Sequence, residues 1–351
     1  MTPRITVFVG PDHDLLHTSL VLTGVCALAD RGDISLRYHR PTGDQQWLVA
    51  DPMVLCFEVA GVDGRIAIDL RDGEGISQPL INRVRWYLKR AFYPQELLGL
   101  PAELSEKMQP FGLNYGCRSL ASTVRLLAAV GGPLAARGRP GWARLRQYLS
   151  TPGSATFEQS PDAPMFPRVA FQTRLWTSGE VPPDEVEPLN EGRVAVIRAL
   201  RQAFGDRFVG GLVPTPLAIE RYPGEVTPHS SNYRNYLAIK KRCLVGVYTR
   251  GVEHSLAFKL GETFAASQCL VSVPLRYQLP APIEEGRHYL SFETPDECVA
   301  ACSRLLDDAA HAREMRRANH DYYRREVEPA AHVLRVLHRT GVTGSSHGVP
   351  A

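Results

Sequence analysis

From residue 168 onward the chain alternates short β-branched runs with stretches long enough for helices, and this alternation limits the folds open to it. The pattern predicts strands over 168–172, 208–212, 243–248, 270–273 and 289–292. Helices are expected over 192–204, 233–240, 258–266 and 295–306, and a long charged helix from about Ala309 closes the series. Strands spaced by helices of this length pair through βαβ crossovers, so the half is α/β with a parallel sheet.

The first half is less regular. Strands are expected at Ile5–Val9, Ser35–Tyr38, Met53–Val59 and Arg65–Asp69, with the second and third forming a pair. Val62-Asp-Gly64 marks a hairpin-type turn. Leu15–Leu28 reads as a helix, a helical stretch runs from Ile76 towards Val84–Leu88, and Leu120–Leu149 is helical with an interruption at Gly131-Gly-Pro133. Between the halves lies TPGSATFEQSPDAPMFP (151–167), the best linker composition in the chain. At 351 residues two domains are expected. They are placed at 1–155 and 168–325, followed by a helix over 326–340 and a disordered tail over 341–351.

Charge and cysteine usage exclude several classes. Forty Lys and Arg against 37 Asp and Glu give a net charge of +3, so no nucleic-acid partner is expected. Lys240-Lys241-Arg242 reads as a solvated face. The seven cysteines are scattered, mostly in apolar surroundings, which fits a reduced compartment. Cys298 and Cys302 stand four apart with no second pair, so no metal site is expected. The first residues read as a strand rather than a leader, and no apolar run reaches about 18 residues, so a cytoplasmic protein without a transmembrane segment is expected.

In an open parallel sheet, ligands bind beyond the carboxyl ends of the strands. Two segments there carry suitable residues. Phe171-Gln-Thr-Arg174 ends a strand on a guanidinium, whose forked donors suit a diphosphate, although an acidic partner satisfies an arginine equally well. Thr249-Arg-Gly251-Val-Glu-His254-Ser255 delivers a glycine turn and a polar pair, and the helix expected next brings its positive dipole end beside 251–255. Lys259 and Glu262 then lie on adjacent turns of one helix face. They form either a clamp for phosphate and ribose or a simple surface ion pair.

The stretch Lys259-Leu-Gly-Glu262-Thr-Phe-Ala-Ala-Ser-Gln-Cys-Leu-Val-Ser272 resembles the Lys-x-x-Glu-Ala-x-Ala-x-Gly-x-Pro-Val-Val-Ser segment of GT-B glycosyltransferases of the retaining group 1 type. Thr173-Arg174-Leu175 is similar to the family's Gly-Arg-Leu, and Pro295-Asp-Glu through Leu305-Leu306 with the following helix is similar to its ending. The resemblance implies two Rossmann-like domains facing across a cleft, with the last helix crossing back to the N-terminal domain. It also implies donor binding by Arg174, Gly251, His254, Ser255, Lys259 and Glu262. Glu262 would correspond to the second glutamate of the family's Glu-x7-Glu, the one that binds ribose. The first would fall at His254, a departure from the pattern. The lysine that follows Gly-Arg-Leu has no clear counterpart, though Arg193 is near.

Ile68-Asp-Leu-Arg-Asp72, Tyr87-Leu-Lys-Arg90 and Gly112-Leu-Asn-Tyr115 resemble segments of a bacterial subgroup with a short N-terminal domain. Each is expected to face the cleft, with Asp72 nearest the acceptor and Asp72 and His254 as the catalytic candidates. The resemblance implies transfer of a sugar from a nucleoside-diphosphate sugar to a small-molecule or cell-envelope acceptor such as a glycolipid. Cations at the diphosphate make a divalent ion unnecessary, no cofactor is expected, and a homodimer is admissible. High Arg, Ala and Gly usage suggests a bacterial source and an acceptor from specialised metabolism or the envelope. A nucleotide-sugar epimerase of the same shape needs paired acid/base carboxylates that are not evident, and a nucleotide-binding module without turnover is the non-enzyme alternative.

Overall fold

A computed structural model describes residues 2–73 and 75–342, so the tail expected to be disordered lies, past Val342, outside the described residues. The chain forms two compact units. The first comprises Met1–Thr156, Tyr277–Ala281 and Arg324–Ala351, and the second Phe157–Arg276 and Pro282–Tyr323.

The first unit opens with β1 (Arg4–Phe8), α1 (Ser19–Arg31) and β2 (Ser35–His39). Residues 15–18, expected to be helical, form a turn closed by Asp14, whose Oδ1 accepts from the Leu16 and His17 amides at 3.0 and 2.9 Å. The hairpin β3 (Val54–Val59) and β4 (Arg65–Asp69) follows. Strand pairing corrects one expectation: β2 and β3 do not pair, because β1 lies between them. With Ile5 and Val7 fully buried, β1 is a central strand and needs a neighbour on each side. The helical stretch expected from Ile76 shrinks to one turn, α2 (Gln78–Ile81), and the chain returns as β5 (Trp86–Lys89). A short α3 (Ala102–Ser105) leads to β6 (Met108–Pro110), completing the order β2-β1-β3-β4-β5-β6. Only β3 runs against its neighbours.

The helical hairpin beyond it breaks elsewhere than expected. α4 (Leu120–Ala136) runs through Gly131-Gly-Pro133, and the break falls at Arg137–Gly138 before α5 (Arg139–Ser150). Pro133 stands in the last turns of α4, and Gly132 before it has no Cβ to meet the proline ring. Pro140 suits the first turn of α5, where its missing N–H would lack a helical partner anyway. A reciprocal capping box fixes the start of α4: the Ser122 amide donates to Ser119 Oγ at 3.0 Å and the Ser119 amide to Ser122 Oγ at 2.9 Å.

The Pro- and Ser-rich run at 151–167 is not a bare linker. It contains α6 (Ser154–Phe157). Gln159 N donates to Ala265 O at 3.0 Å, and Arg316 donates to Ala163 O at 2.8 Å, which tie it to the second unit. That unit follows the expected alternation: β7 (Phe166–Thr173), α7 (Pro183–Phe204), β8 (Phe208–Leu212), α8 (Pro216–Arg221) and α9 (Tyr233–Arg242). It continues with β9 (Cys243–Tyr248), α10 (Phe258–Ala265), β10 (Cys269–Ser272), β11 (Tyr289–Ser291), α11 (Pro295–Asp307) and α12 (Ala309–Tyr322). All five strands are parallel, in the order β11-β10-β9-β7-β8. Val169, Phe171, Val245 and Val271 of the sheet pack with Val194, Ile197 and Leu200 of α7 and Leu305 of α11 in one apolar core. The last helix, α13 (Pro329–Arg339), belongs to the first unit and packs on α1. No helix among the described residues is long and apolar enough to cross a membrane.

Candidate functional site

The strand order of the second unit reverses between β7 and β9. There the chain leaves β7 towards β8 on one side and leaves β9 towards β10 on the other. Loops diverging from such a switch point open a crevice at the carboxyl ends of the two strands. Arg174 follows β7 directly, and Arg250 and Gly251 follow β9.

Four cations gather at this point. Arg193 from α7 donates to Arg174 O at 2.6 Å and to Arg250 O at 3.3 Å, joining the two loops. Lys259 from α10 donates its ammonium to Gln172 O at the end of β7. Arg174 stacks on the Trp176 indole, 3.7 Å from the ring centroid, and donates to Glu180 at 2.6 Å. Arg250 meets Glu185 at 3.1 Å. The acidic partner weighed for Arg174 is thus present. Arg193 and Lys259 differ: the bonds they donate go to carbonyl oxygens, and Arg193 Nε, on a side chain only 7% exposed, has no partner.

The charges respond to this crowding. Burial, with Arg193 next, pushes the Lys259 ammonium down to about 7, and Glu262 opposes only in part. Burial, with Arg174 and Arg250 adding, pushes Arg193 down to about 10. A buried ion without a counter-ion costs several kcal/mol even after the protein relaxes. Arg193, buried, and Lys259, half-buried, stand here with no carboxylate bonded to either among the described residues. Asn190 holds the β7 loop in place, accepting from Trp176 N at 2.8 Å and donating to Trp176 O at 2.9 Å.

Glu262 and Lys259 do not pair. The Glu262 carboxylate is 3% exposed and faces α9, accepting from Tyr233 Oη at 2.5 Å and Tyr236 Oη at 2.8 Å. Lys240 Nζ stands 4.0 Å from it and donates to Lys259 O at 3.1 Å and Thr263 Oγ1 at 2.7 Å. Lys240 is therefore buried in the unit, not on the solvated face its sequence suggests, and burial pushes it down to about 8. The periodicity of α9 carried the signal: Tyr236, Leu237 and Lys240 lie on one side of the helix, so one basic residue of the run had to point inward.

The helix dipole expected beside 251–255 sits further on, since α10 starts at Phe258. Instead Val252–His254 makes one 3-10 turn in which Glu253 and His254 take φ of 50° and 58°. Adjacent left-handed residues of this kind store backbone strain, which clusters at functional sites. Gly251 is demanded by contact: a Cβ there would lie 2.4 Å from Ser255 Oγ and 2.8 Å from Ser255 O. Ser255 is buried, with its carbonyl accepting from Tyr248 Oη at 2.6 Å. His254 is exposed on the same turn.

The other catalytic candidate lies in the first unit. Asp72 follows β4, and its carboxylate meets the buried guanidinium of Arg90. The segments expected to face a cleft carry a largely buried network. Asp69 accepts from Tyr87 Oη at 2.6 Å and from Arg71 at 2.6 and 2.9 Å, and Lys89 donates to Gly73 O and Gly75 O, both at 2.8 Å. Asn114 and Tyr115 are also buried, Asn114 donating to His17 O at 2.9 Å. A pocket of about 400 Å³ opens beside this network, lined by Asp12, Asp14, Asp51, Arg71 and Arg144 among others. Asp12-His-Asp14 has the Asp-x-Asp spacing, which the chain was not expected to carry. Its carboxylates are engaged, however, by Arg137 at 2.5 Å and His17 at 3.1 Å. Among the described residues no three metal-capable side chains form a group.

No protein-family model matches the chain, and no curated protein matches it. Among solved structures, a glycosyltransferase from Rickettsia africae is similar at 9% identity and a TM-score of 0.42, over 90% of this chain and 78% of that one. The C-terminal domain of a glycosyl transferase group 1 family protein from Francisella tularensis is similar at 7% identity and a TM-score of 0.36, over 49% of this chain and 96% of that one. A UDP-GlcNAc 2-epimerase from Neisseria meningitidis, bound to UDP-GlcNAc, is similar at 11% identity and a TM-score of 0.38, over 74% of this chain and 62% of that one.

Proposed function

We propose that this chain is a GT-B-type glycosyltransferase whose second unit holds the diphosphate of a nucleoside-diphosphate sugar. The observation that carries the reading is the pair at the switch point of a parallel sheet, Arg193, which is buried, and Lys259, which is half-buried, both donating to carbonyls rather than to carboxylates. The resemblance of residues 259–272 to the donor-binding segment of group 1 enzymes supports it independently. Arg193 then takes the cationic role left open after Arg174. In the ribose role Glu262 would accept beside Tyr233 and Tyr236, each of which already donates to one of its carboxylate oxygens and leaves a second lone pair there.

Chemistry follows from charge. As an acceptor hydroxyl oxygen bonds the anomeric carbon, the bond from that carbon to the diphosphate oxygen breaks, and negative charge builds on the departing diphosphate. Arg193, Lys259 and Arg174 stabilise that charge most where water is excluded. The acceptor's proton goes to the departing diphosphate or to a base, for which His254 and Asp72 are the candidates. Retention of configuration, independence from metal, and a small-molecule or envelope acceptor belong to the same proposal.

Incubation with UDP-, GDP-, dTDP- and ADP-sugars tests it: one donor releases its nucleoside diphosphate, faster with a hydroxyl acceptor present. Absence of release from all four contradicts turnover. His254, standing where the family has a glutamate, favours a second reading, a nucleotide-binding module without turnover. In that case one nucleoside diphosphate raises the melting temperature although none of the sugars is cleaved.

A further inference from the structure

Between Glu106 and Glu158 the chain has no acidic residue but seven basic ones, although its overall net charge is only +3. Six of the seven are arginines within 118–146, and five of these fall in the α4–α5 hairpin. The two helices run antiparallel, with Ser122 Oγ near the start of α4 lying 3.3 Å from Tyr148 Oη near the end of α5. Eight large apolar or aromatic side chains are exposed among the described residues, and four of them are here: Leu120 at 78%, Val124 at 58%, Trp142 at 55% and Leu149 at 41%.

These residues share sides of their helices. Leu120 and Val124 are one turn apart on α4, whose only charged residue is Arg125. On α5, Arg139, Trp142, Arg146 and Leu149 recur at spacings of three, four and three, which is one helix face. The opposite face, with Gly141, Leu145 and Tyr148, is buried. Acids from other elements reach only part of the hairpin: Asp12 takes Arg137 and Arg144, and Asp30 takes Arg125. Arg139 and Arg146, both exposed, form no ion pair among the described residues.

We propose that the exposed face of α4 and α5 docks the protein on an anionic lipid surface. Leucine, valine and tryptophan side chains lying beside arginines match the boundary between acyl chains and charged headgroups. A second copy of this chain would oppose one positive face to another. Nucleic acid would leave the leucines and tryptophan unsatisfied. Neither helix spans a bilayer, so attachment is peripheral and salt-sensitive. The proposal does not depend on the nucleotide reading.

Co-sedimentation with vesicles tests it, using phosphatidylcholine alone and phosphatidylcholine with about 30% phosphatidylglycerol. The full chain is expected to sediment with the mixed vesicles, to stay in solution with the neutral ones, and to be released by about 0.5 M salt. The double change Arg139→Gln and Arg146→Gln lowers the partition coefficient roughly thirtyfold. Trp142→Ser lowers it as well, and since all three side chains are exposed, the thermal melting curve stays unchanged. Absence of sedimentation with the mixed vesicles overturns the proposal, as does sedimentation indifferent to these substitutions. A dimer in sedimentation velocity that Trp142→Ser dissolves also overturns it, in favour of a second copy as the occupant.

Discussion

Lys259 is held at the end of β7 by one carbonyl and is pushed down to about 7 by burial and by Arg193. In the unfolded chain a lysine titrates near its ordinary value of about 10.4. Because the folded value is the lower one, the charge is a burden that is absent at high pH. It grows as pH falls below the unfolded value and is complete below about 7. Lys259→Met is therefore expected to stabilise the unliganded protein at neutral pH by about 1–3 kcal/mol in denaturant titrations while abolishing nucleotide affinity. A loss of stability would show that Lys259 serves the fold. An arriving diphosphate raises the lysine's value, so binding at about pH 8 takes up a fraction of a proton, visible as a dependence of the binding enthalpy on the buffer's ionisation heat. Affinity falls as pH rises above about 7. Enthalpies that are the same in all buffers would contradict this. Sequence reveals Lys259 through its segment, but it cannot reveal that Tyr233 and Tyr236 cap Glu262, because 26 or more residues separate these partners and only the packing of α9 brings them together.

Elements were legible where periodicity was local. All five strands of the second unit stand within two residues of their expected bounds, since each is a short, mostly apolar run between turn residues. Elements whose limits depend on contacts were not. The break between α4 and α5 is set where the helices cross, and the short α2 gives way to β5 because Trp86–Lys89 pairs with β4. The same holds for α13 on α1. A Cβ on Gly24 of α1 would lie 2.1 Å from Pro329 O and 2.6 Å from Val333 Cγ2, so these helices touch through backbone. Gly24→Val is expected to destabilise the protein by about 1–3 kcal/mol, read as a lower denaturation midpoint. An unchanged midpoint would mean α13 shifts freely on α1.

At the scale of the molecule, the chain is interleaved rather than bipartite. It leaves the second unit at Tyr277–Ala281, where Gln278 N donates to Phe92 O at 2.9 Å, and returns to the first unit for good at Arg324. The candidate donor residues Arg174, Gly251, His254, Ser255, Lys259 and Glu262 belong to the second unit, while Asp72 belongs to the first. Calorimetric titration of the full chain with UDP, GDP, dTDP and ADP tests the central claim most directly, with Lys259→Met and Arg174→Ala alongside. One nucleoside diphosphate is expected to bind at a single site, with affinity lost in Lys259→Met and reduced by about tenfold or more in Arg174→Ala, as for a charged hydrogen bond removed. Failure of all four to bind, or binding undiminished in both variants, would contradict it.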